Sequence, residues 1–360
     1  MMLAMRAFSF CCLLAIALAA CSADKPDPTT GGGSPASDKT QKPAAPHVAE
    51  NADAYLAHLK KIAAQAESDG KTTLPGTGKD VLLVKELRSL AAGTFWGDAA
   101  QTASRAAKAN RRDPLPAIVA YHEALKKAGI EWVFVPVPAK VAVDPSLVPG
   151  APAVEGRIDV HCIAFYDELR KAGVPVLDVV PDLQELVSKG TRAHCMTDTH
   201  WTPAACETVA ALVRERAAKQ RWFAQATKTE FETTPKTLTL TGDMAAMRRE
   251  ATGPEQLASS VVEGTTTSDS SPVLLLGDSH CLVFHQGGDM HAKGAGFPDH
   301  VAQQLSMPIT VVGVRGSGAT PSRVDAFRGK RFEGKKFAIW CLTAREFTEG
   351  QGWSTIPVKR

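Results

Sequence analysis

Five short apolar runs dominate the second two thirds of this chain and narrow what it can fold into. They are Glu131–Val137, Val174–Val179, Pro272–Leu276, Ile309–Val314 and Lys336–Leu342. None alternates apolar with polar, as a strand with one wet face would, so each reads as a strand buried on both sides, the pattern of parallel sheets. Parallel neighbours need crossover connections, and apolar residues recur at helical spacing in Pro114–Lys127, Arg157–Ala172, Pro181–Ser188 and Pro203–Lys219. Strand and helix patterns taking turns predict an α/β fold of three α/β/α layers around a mostly parallel, doubly wound sheet. Residues 50–360 suffice for one such domain. The polar stretch Thr227–Ser271 has no clear period and reads as an insertion that helps form a substrate groove, its end Gly264–Ser271 a mobile loop leading into a strand.

The N-terminus has a different character. Arg6 is followed by the apolar run Ala7–Ala20, too short and wrongly flanked for a membrane span, so residues 1–20 read as an export signal. Leu18-Ala19-Ala20-Cys21 has the form of a lipoprotein cleavage site, in which Cys21 takes lipid and becomes the mature N-terminus; an ordinary signal peptide is the alternative. Residues 21–49, rich in Pro, Gly, Ser and Thr, cannot bury enough surface to fold and form a tether of about 30 Å root-mean-square reach. These features place the domain in the periplasm, anchored through lipid to a bacterial membrane.

A formal net charge of +3, reduced to +2 once Arg6 leaves with the signal, gives no electrostatic footprint for nucleic acid. Five cysteines remain in the domain: Cys162, Cys195, Cys206, Cys281 and Cys341. The number is odd, so at least one is unpaired. Cys195 and Cys206, close in sequence, are one candidate pair among several.

Two segments carry the chemistry. Gly277-Asp278-Ser279-His280 follows an apolar run, which puts Ser279 at the carboxyl end of a strand, where open α/β sheets bind ligands. Gly277 lets the backbone turn sharply, and the amides of Ser279 and its neighbours face a developing oxyanion. Thr197-Asp198-Thr199-His200-Trp201 precedes Pro203, a natural first residue of a helix. With one residue between them, Asp198 can hold Nδ1 of His200 while Nε2 faces Ser279. A serine hydroxyl needs such a base, and the base needs its tautomer fixed. The bland alternative makes Asp198 and Thr199 helix caps. Trp201 is expected either to pack under His200 or to be an ordinary core or rim aromatic.

The order Asp198–His200 first and Ser279 later, reversed from most SGNH hydrolases, resembles the SGNH-hydrolase-like domain of the alginate O-acetyltransferase family, AlgJ and AlgX. Leu83–Arg88 with Gly93–Trp96, Val135–Lys140 and Val174–Asp178 extend the likeness over most of residues 80–345. The resemblance implies a circularly permuted SGNH-like fold and an exported enzyme that moves acetyl groups onto polysaccharide hydroxyls. A membrane-bound acyltransferase would supply the acetyl group, and no cofactor is implied. Carried over, Ser279 accepts acetyl, His200 is general base and acid, and Asp198 orients it. His280 has no assigned counterpart. The chain stops short of the carbohydrate-binding module that AlgX carries, so an AlgJ-like architecture is expected.

Arg315-Gly316-Ser317 follows another apolar run and offers amide donors, or a guanidinium for a uronate; Lys140, after Pro136-Val137-Pro138, has similar standing. Three rival readings stand beside acetyl transfer. The first is an acetyl esterase, since water competes with sugar for an acyl-enzyme. The second is a zinc site among His194, Cys195, Asp198, His200, His280, Cys281, His285 and His291, although no recognisable zinc spacing occurs. The third is a glycan-binding scaffold without catalysis.

Overall fold

The computed structural model describes residues 46–245 and 253–359. The expected export signal, the lipidated Cys21 and nearly all of the tether lie outside the described residues. The last tether positions do not: Ala49 is buried, and its amide donates to the carbonyl of Arg157, so the folded part begins a few residues before residue 50.

Four of the apolar runs form one sheet. Strands β1 (Glu131–Val137), β4 (Val273–Gly277), β5 (Thr310–Gly313) and β6 (Phe337–Thr343) stand in the order β1-β6-β4-β5, every pair parallel. The run at Val174–Val179 is the exception, touching the sheet through a single parallel bridge between Val176 and Phe134. Pro175 cannot donate to a ladder, and Asp178 turns aside to accept from Arg157.

Burial on both faces follows from the pleat. Val133, Val135, Leu275, Ile339 and Cys341 belong to one core cluster, and Trp132, Phe134, Leu274, Leu276, Trp340 and Leu342 to the other. The first cluster includes residues of helices α4 (Val180–Ser188), α5 (Pro203–Ala218) and α6 (Phe297–Leu305). The second includes residues of α2 (Pro114–Lys127) and α3 (Val160–Lys171). Three layers result, as the sequence predicted. Helix α2 begins on Asp113, whose carboxylate accepts from the amide of Leu115, with Pro114 in the first turn. Helix α1 (Ala52–Ser68) packs on a third, smaller cluster.

The stretch expected to be irregular contains an antiparallel hairpin, β2 (Thr233–Leu240) with β3 (Glu255–Val262). Its strand β3 does alternate, with Glu255, Leu257, Ser259 and Val261 buried. Gly264–Ser271 is tied down at several points. Ser268 donates to the Ile309 carbonyl, and Lys335 Nζ donates to the carbonyls of Asp269 and Ser271 at 2.8 and 2.6 Å. All five cysteines of the described residues are free thiols, so neither Cys195–Cys206 nor any other pair is bridged. No described helix is long and apolar enough to cross a membrane.

Candidate active site

Strand β4 is buried along its whole length and ends at Gly277, directly before Asp278. A Cβ on Gly277 would stand 1.8 Å from the carbonyl oxygen of Cys341 on β6 and 2.5 Å from Sγ of Cys281. Glycine is therefore required by close approach of the neighbouring strand, not by the turn. Asp278 then caps a short helical turn, Ser279–Cys281, by accepting from the amide of His280 at 2.9 Å, while its other oxygen accepts from the amide of Thr343 at 2.7 Å. The Cys281 amide is taken by the Asp278 carbonyl. Among the first three amides of the turn, only that of Ser279 has no acceptor among the described residues.

The second segment reaches the same place from α5. Thr202 caps this helix, its hydroxyl accepting from the Ala205 amide at 3.3 Å, so Asp198 and Thr199 are released from the capping role. Asp198 Oδ1 accepts from the amide of His200 at 3.0 Å and from its Nδ1 at 2.5 Å. This fixes the proton on Nδ1 and leaves Nε2 to accept from the Ser279 hydroxyl at 2.8 Å. Asp198 and His200 are 1% and 6% exposed, whereas Ser279 is half-buried.

Asp198 Oδ2 accepts two further bonds, from the amide of Asp243 at 2.8 Å and from Nε2 of His291 at 2.9 Å. Burial alone would raise the Asp198 carboxyl. The hydrogen bonds from His200 and His291, the charge of His200 and the Asp243 amide outweigh it and hold the group far below the usual carboxylate range. Asp243 in turn accepts from the amide and hydroxyl of Thr199 at 2.9 and 2.8 Å. Glu255 accepts from the Met196 amide at 2.8 Å. The hairpin thus braces the loop that carries the base.

Each remaining candidate has a defined place. Trp201 is fully buried and packs on His280 and Phe297, not beneath His200, and its indole N–H donates to the His280 carbonyl at 3.1 Å. It ties the two segments together. His280 donates from Nδ1 to Asp278 at 3.0 Å, its ring 4.8 Å from that of His200. Burial pushes its pKa down, opposed by Asp278, whose own carboxyl stays at about 2. Fully buried, it backs the site.

Lys140, expected to contact substrate, is instead a buried strut. It is 3% exposed and donates at 3.1 Å to the carbonyls of both Val81 and Met196, with Asp80 at 3.7 Å. Arg315 is exposed and occupied by Asp289, with bonds of 2.5 and 3.0 Å, and by Gln286. Gly316 takes a positive φ of 84° in an open turn. The Ser317 hydroxyl donates to buried Glu346 at 2.8 Å, so its side chain is not free for substrate. Beyond it, Gly318 passes so near the nucleophile turn that a Cβ would stand 2.6 Å from the Asp278 amide nitrogen.

The zinc grouping suggested by residue types is dispersed. His194 bonds the Pro138 carbonyl, His280 bonds Asp278 and His285 bonds Asp299. Asp198, His200 and Asp243 do offer ligand atoms within 4.8 Å of one another. Both Asp198 oxygens already accept two N–H bonds, and the Asp243 oxygens face Thr199, so these lone pairs belong to a hydrogen-bond network. Asp243 and Glu255 were not legible as site residues, and His291 was read only as a zinc ligand. The one local signal was Gly242, which lies so close to the backbone of Thr197 that no side chain fits there.

The site combines a hydroxyl, an imidazole with a fixed tautomer, a carboxylate and a free amide at one strand end. Comparisons with known proteins agree. The family described as SGNH hydrolase-like domain, acetyltransferase AlgX, matches residues 95–342. A probable alginate O-acetylase AlgJ of Pseudomonas syringae pv. tomato is 32% identical over 101 residues, 28% of this chain and 25% of that protein. The match therefore spans about a quarter of that relative's length. The solved O-acetyltransferase domain of Pseudomonas putida AlgJ superposes with a TM-score of 0.59 at 18% identity, covering 76% of this chain and 91% of the other. Pseudomonas aeruginosa AlgX gives 0.57 at 18% identity, over 81% of this chain and 65% of that one. At such identities the structures show a shared fold, while the family match covers well over half of the sequence. The chain belongs to the AlgX family of SGNH hydrolase-like acetyltransferases.

Proposed function

We propose that this protein transfers an acetyl group, through an acetyl-Ser279 intermediate, to hydroxyls of an exported, alginate-like polysaccharide. The observation that carries the reading is the 2.8 Å bond from the Ser279 hydroxyl to Nε2 of His200, whose Nδ1 is held by Asp198. In the first half-reaction Ser279 Oγ attacks the donor's acetyl carbonyl and its proton passes to His200. The donor's C–O bond breaks, and His200 returns the proton to the departing oxygen. In the second, a sugar hydroxyl gives its proton to His200 and attacks the acetyl carbon, and Ser279 leaves with that proton. Imidazolium forms twice, and the carboxylate of Asp198 stabilises it each time. The Ser279 amide, with the Gly318 backbone beside the same turn, is suited to the oxyanion.

The named activity of the AlgJ relative supports the choice of acceptor class. The signal and lipidation motif support a periplasmic, membrane-anchored location, and a membrane-bound acyltransferase fits as the acetyl donor. The test is incubation with an activated acetyl ester and a panel of oligosaccharides, with products weighed by mass spectrometry. Wild type is expected to acetylate sugar and to carry one acetyl mass on Ser279. Ser279→Ala should do neither. Transfer undiminished in that variant overturns the mechanism, and ester hydrolysis with no acetylated sugar assigns an esterase instead.

A further inference from the structure

The segment that follows the nucleophile doubles back on itself between Phe284 and Gly296. Phe284 donates from its amide to the Met290 carbonyl at 2.8 Å, Gly287 to Ala292 at 2.8 Å and Ala295 to Phe284 at 3.0 Å. Its tip presents His291, a non-glycine residue at φ 69°, a conformation that persists only where the surroundings impose it. The imidazole lies against the Phe284 ring, with centroids 5.5 Å apart. Its Nε2 is 2.9 Å from Oδ2 of Asp198, the oxygen that His200 does not use. The bidentate pair of Arg315 with Asp289 secures the loop from outside.

We propose that His291 is a positioning residue for acyl transfer, a second imidazole that grips the free oxygen of Asp198 and fixes the carboxylate in the orientation that serves His200. The inference rests on the proposed roles of Ser279, His200 and Asp198. A carboxylate with one oxygen loose can rotate about its own axis and take the Nδ1 proton out of line. With Asp243 N and His291 Nε2 on Oδ2, and both His200 donors on Oδ1, rotation would break four bonds at once.

The grip has a pH signature. The groups facing His291 are Asp198, Asp243 and Glu255 across the site and Asp289 on its own loop, all acidic, with the Phe284 ring on one side. The hydrogen bond to Asp198 raises its pKa, burial lowers it, and the acidic neighbours raise it further, to a net upward shift. Below that raised value His291 is a cation that partly cancels Asp198, just where a second cation must form on His200. Above it, His291 is a neutral donor that still holds the oxygen. Turnover should therefore gain a rising step as His291 loses its proton.

The test follows p-nitrophenyl acetate turnover from pH 5 to 9 in wild type, Ser279→Ala, His291→Leu and His291→Gln, with melting curves for each. Glutamine places a neutral N–H donor near the Nε2 position. His291→Leu is expected to lose about tenfold to a hundredfold in kcat, with KM nearly unchanged and a folded melting transition. His291→Gln should recover most of that loss and show one rising step fewer than wild type. Wild-type kcat in His291→Leu at every pH overturns the inference, as does His291→Gln no better than His291→Leu, or one with as many rising steps as wild type. Turnover that survives Ser279→Ala would instead refute the acyl-serine reading beneath it, and is told apart by that variant alone.

Discussion

Glu346 makes the stability of this architecture sensitive to pH. Its carboxyl is buried beneath the turn that carries Ser317 and Gly318. Burial first, and then the nearby charge of Asp278, raise its pKa from 4.5 to about 7, against the lowering effect of the Ser317 hydroxyl and Arg345. The folded state thus holds the Glu346 proton more tightly than the unfolded chain does. Its contribution to stability is fully present below pH 4.5 and is lost as pH rises through 7. A rise of roughly 2.5 pKa units corresponds to about 3 kcal/mol at alkaline pH, since each unit is worth about 1.4 kcal/mol. Glu346→Gln keeps the volume and an acceptor for Ser317 but cannot ionise. Urea unfolding of both proteins from pH 4 to 8.5 should give nearly equal stabilities at the acid end. The variant should gain steadily, reaching about 3 kcal/mol above wild type at the alkaline end. Stability differences that stay constant across this range would show that Glu346 is already ionised when folded, and the reasoning from its burial would fall.

Other substitutions probe the frame around the site. Gly277→Ala drives a methyl into the Cys341 carbonyl on the adjacent strand and should cost about 3 kcal/mol by denaturant unfolding; a cost under about 1 kcal/mol would mean that β4 and β6 part easily. Lys140→Met removes a buried ammonium that donates to the carbonyls of Val81 and Met196 and stands 3.7 Å from Asp80, which keeps its bond from Arg192, and should cost about 1 to 3 kcal/mol in the same assay. Because Met196 precedes the base loop, acetyl transfer should fall with it. Arg323 is fully buried between the rings of Tyr121 and Trp340, and burial pulls its pKa down to about 10. Both terminal nitrogens lack a hydrogen-bond partner among the described residues. Arg323→Met should leave stability within about 1 kcal/mol of wild type or raise it, because a desolvated charge is removed along with its ring contacts. A loss above about 3 kcal/mol would show that the guanidinium is a net stabiliser.

The sheet was readable because burial on both faces leaves an uninterrupted apolar run, as at Val273–Leu276, and helix α5 because Pro203 sits where its first turn begins. Val174–Val179 carried the same composition, yet its proline and the pull of Arg157 on Asp178 kept it out of the ladder. The Asp-x-His spacing and the strand-ending serine made the central relay readable, since those contacts are local or follow from topology. The rest depends on meetings between distant segments. Asp243 and Glu255 approach the base loop only because β2 and β3 pair, and nothing in a polar stretch announces which turn will face Asp198. His291 was one histidine among several, and its direction depends on a folded-back loop. Lys140 and Ser317 stood beside strand ends, as substrate residues do, but their polar atoms are consumed by buried carbonyls and by Glu346. Trp201 was expected under its neighbour in sequence and serves the other segment instead.

The position of β6 has a consequence for how the molecule comes into being. This strand is the last of the sheet to be synthesised, yet it stands between β1 and β4, and its Thr343 amide holds Asp278 beside Ser279. Until residues 337–343 arrive, β1 has no partner within the sheet, β4 and β5 have only each other, and the turn bearing Ser279 lacks the Thr343 anchor. Contacts that far apart in sequence close slowly. Assembly of the sheet and completion of the turn that bears Ser279 are therefore a single late event, triggered by the same seven residues.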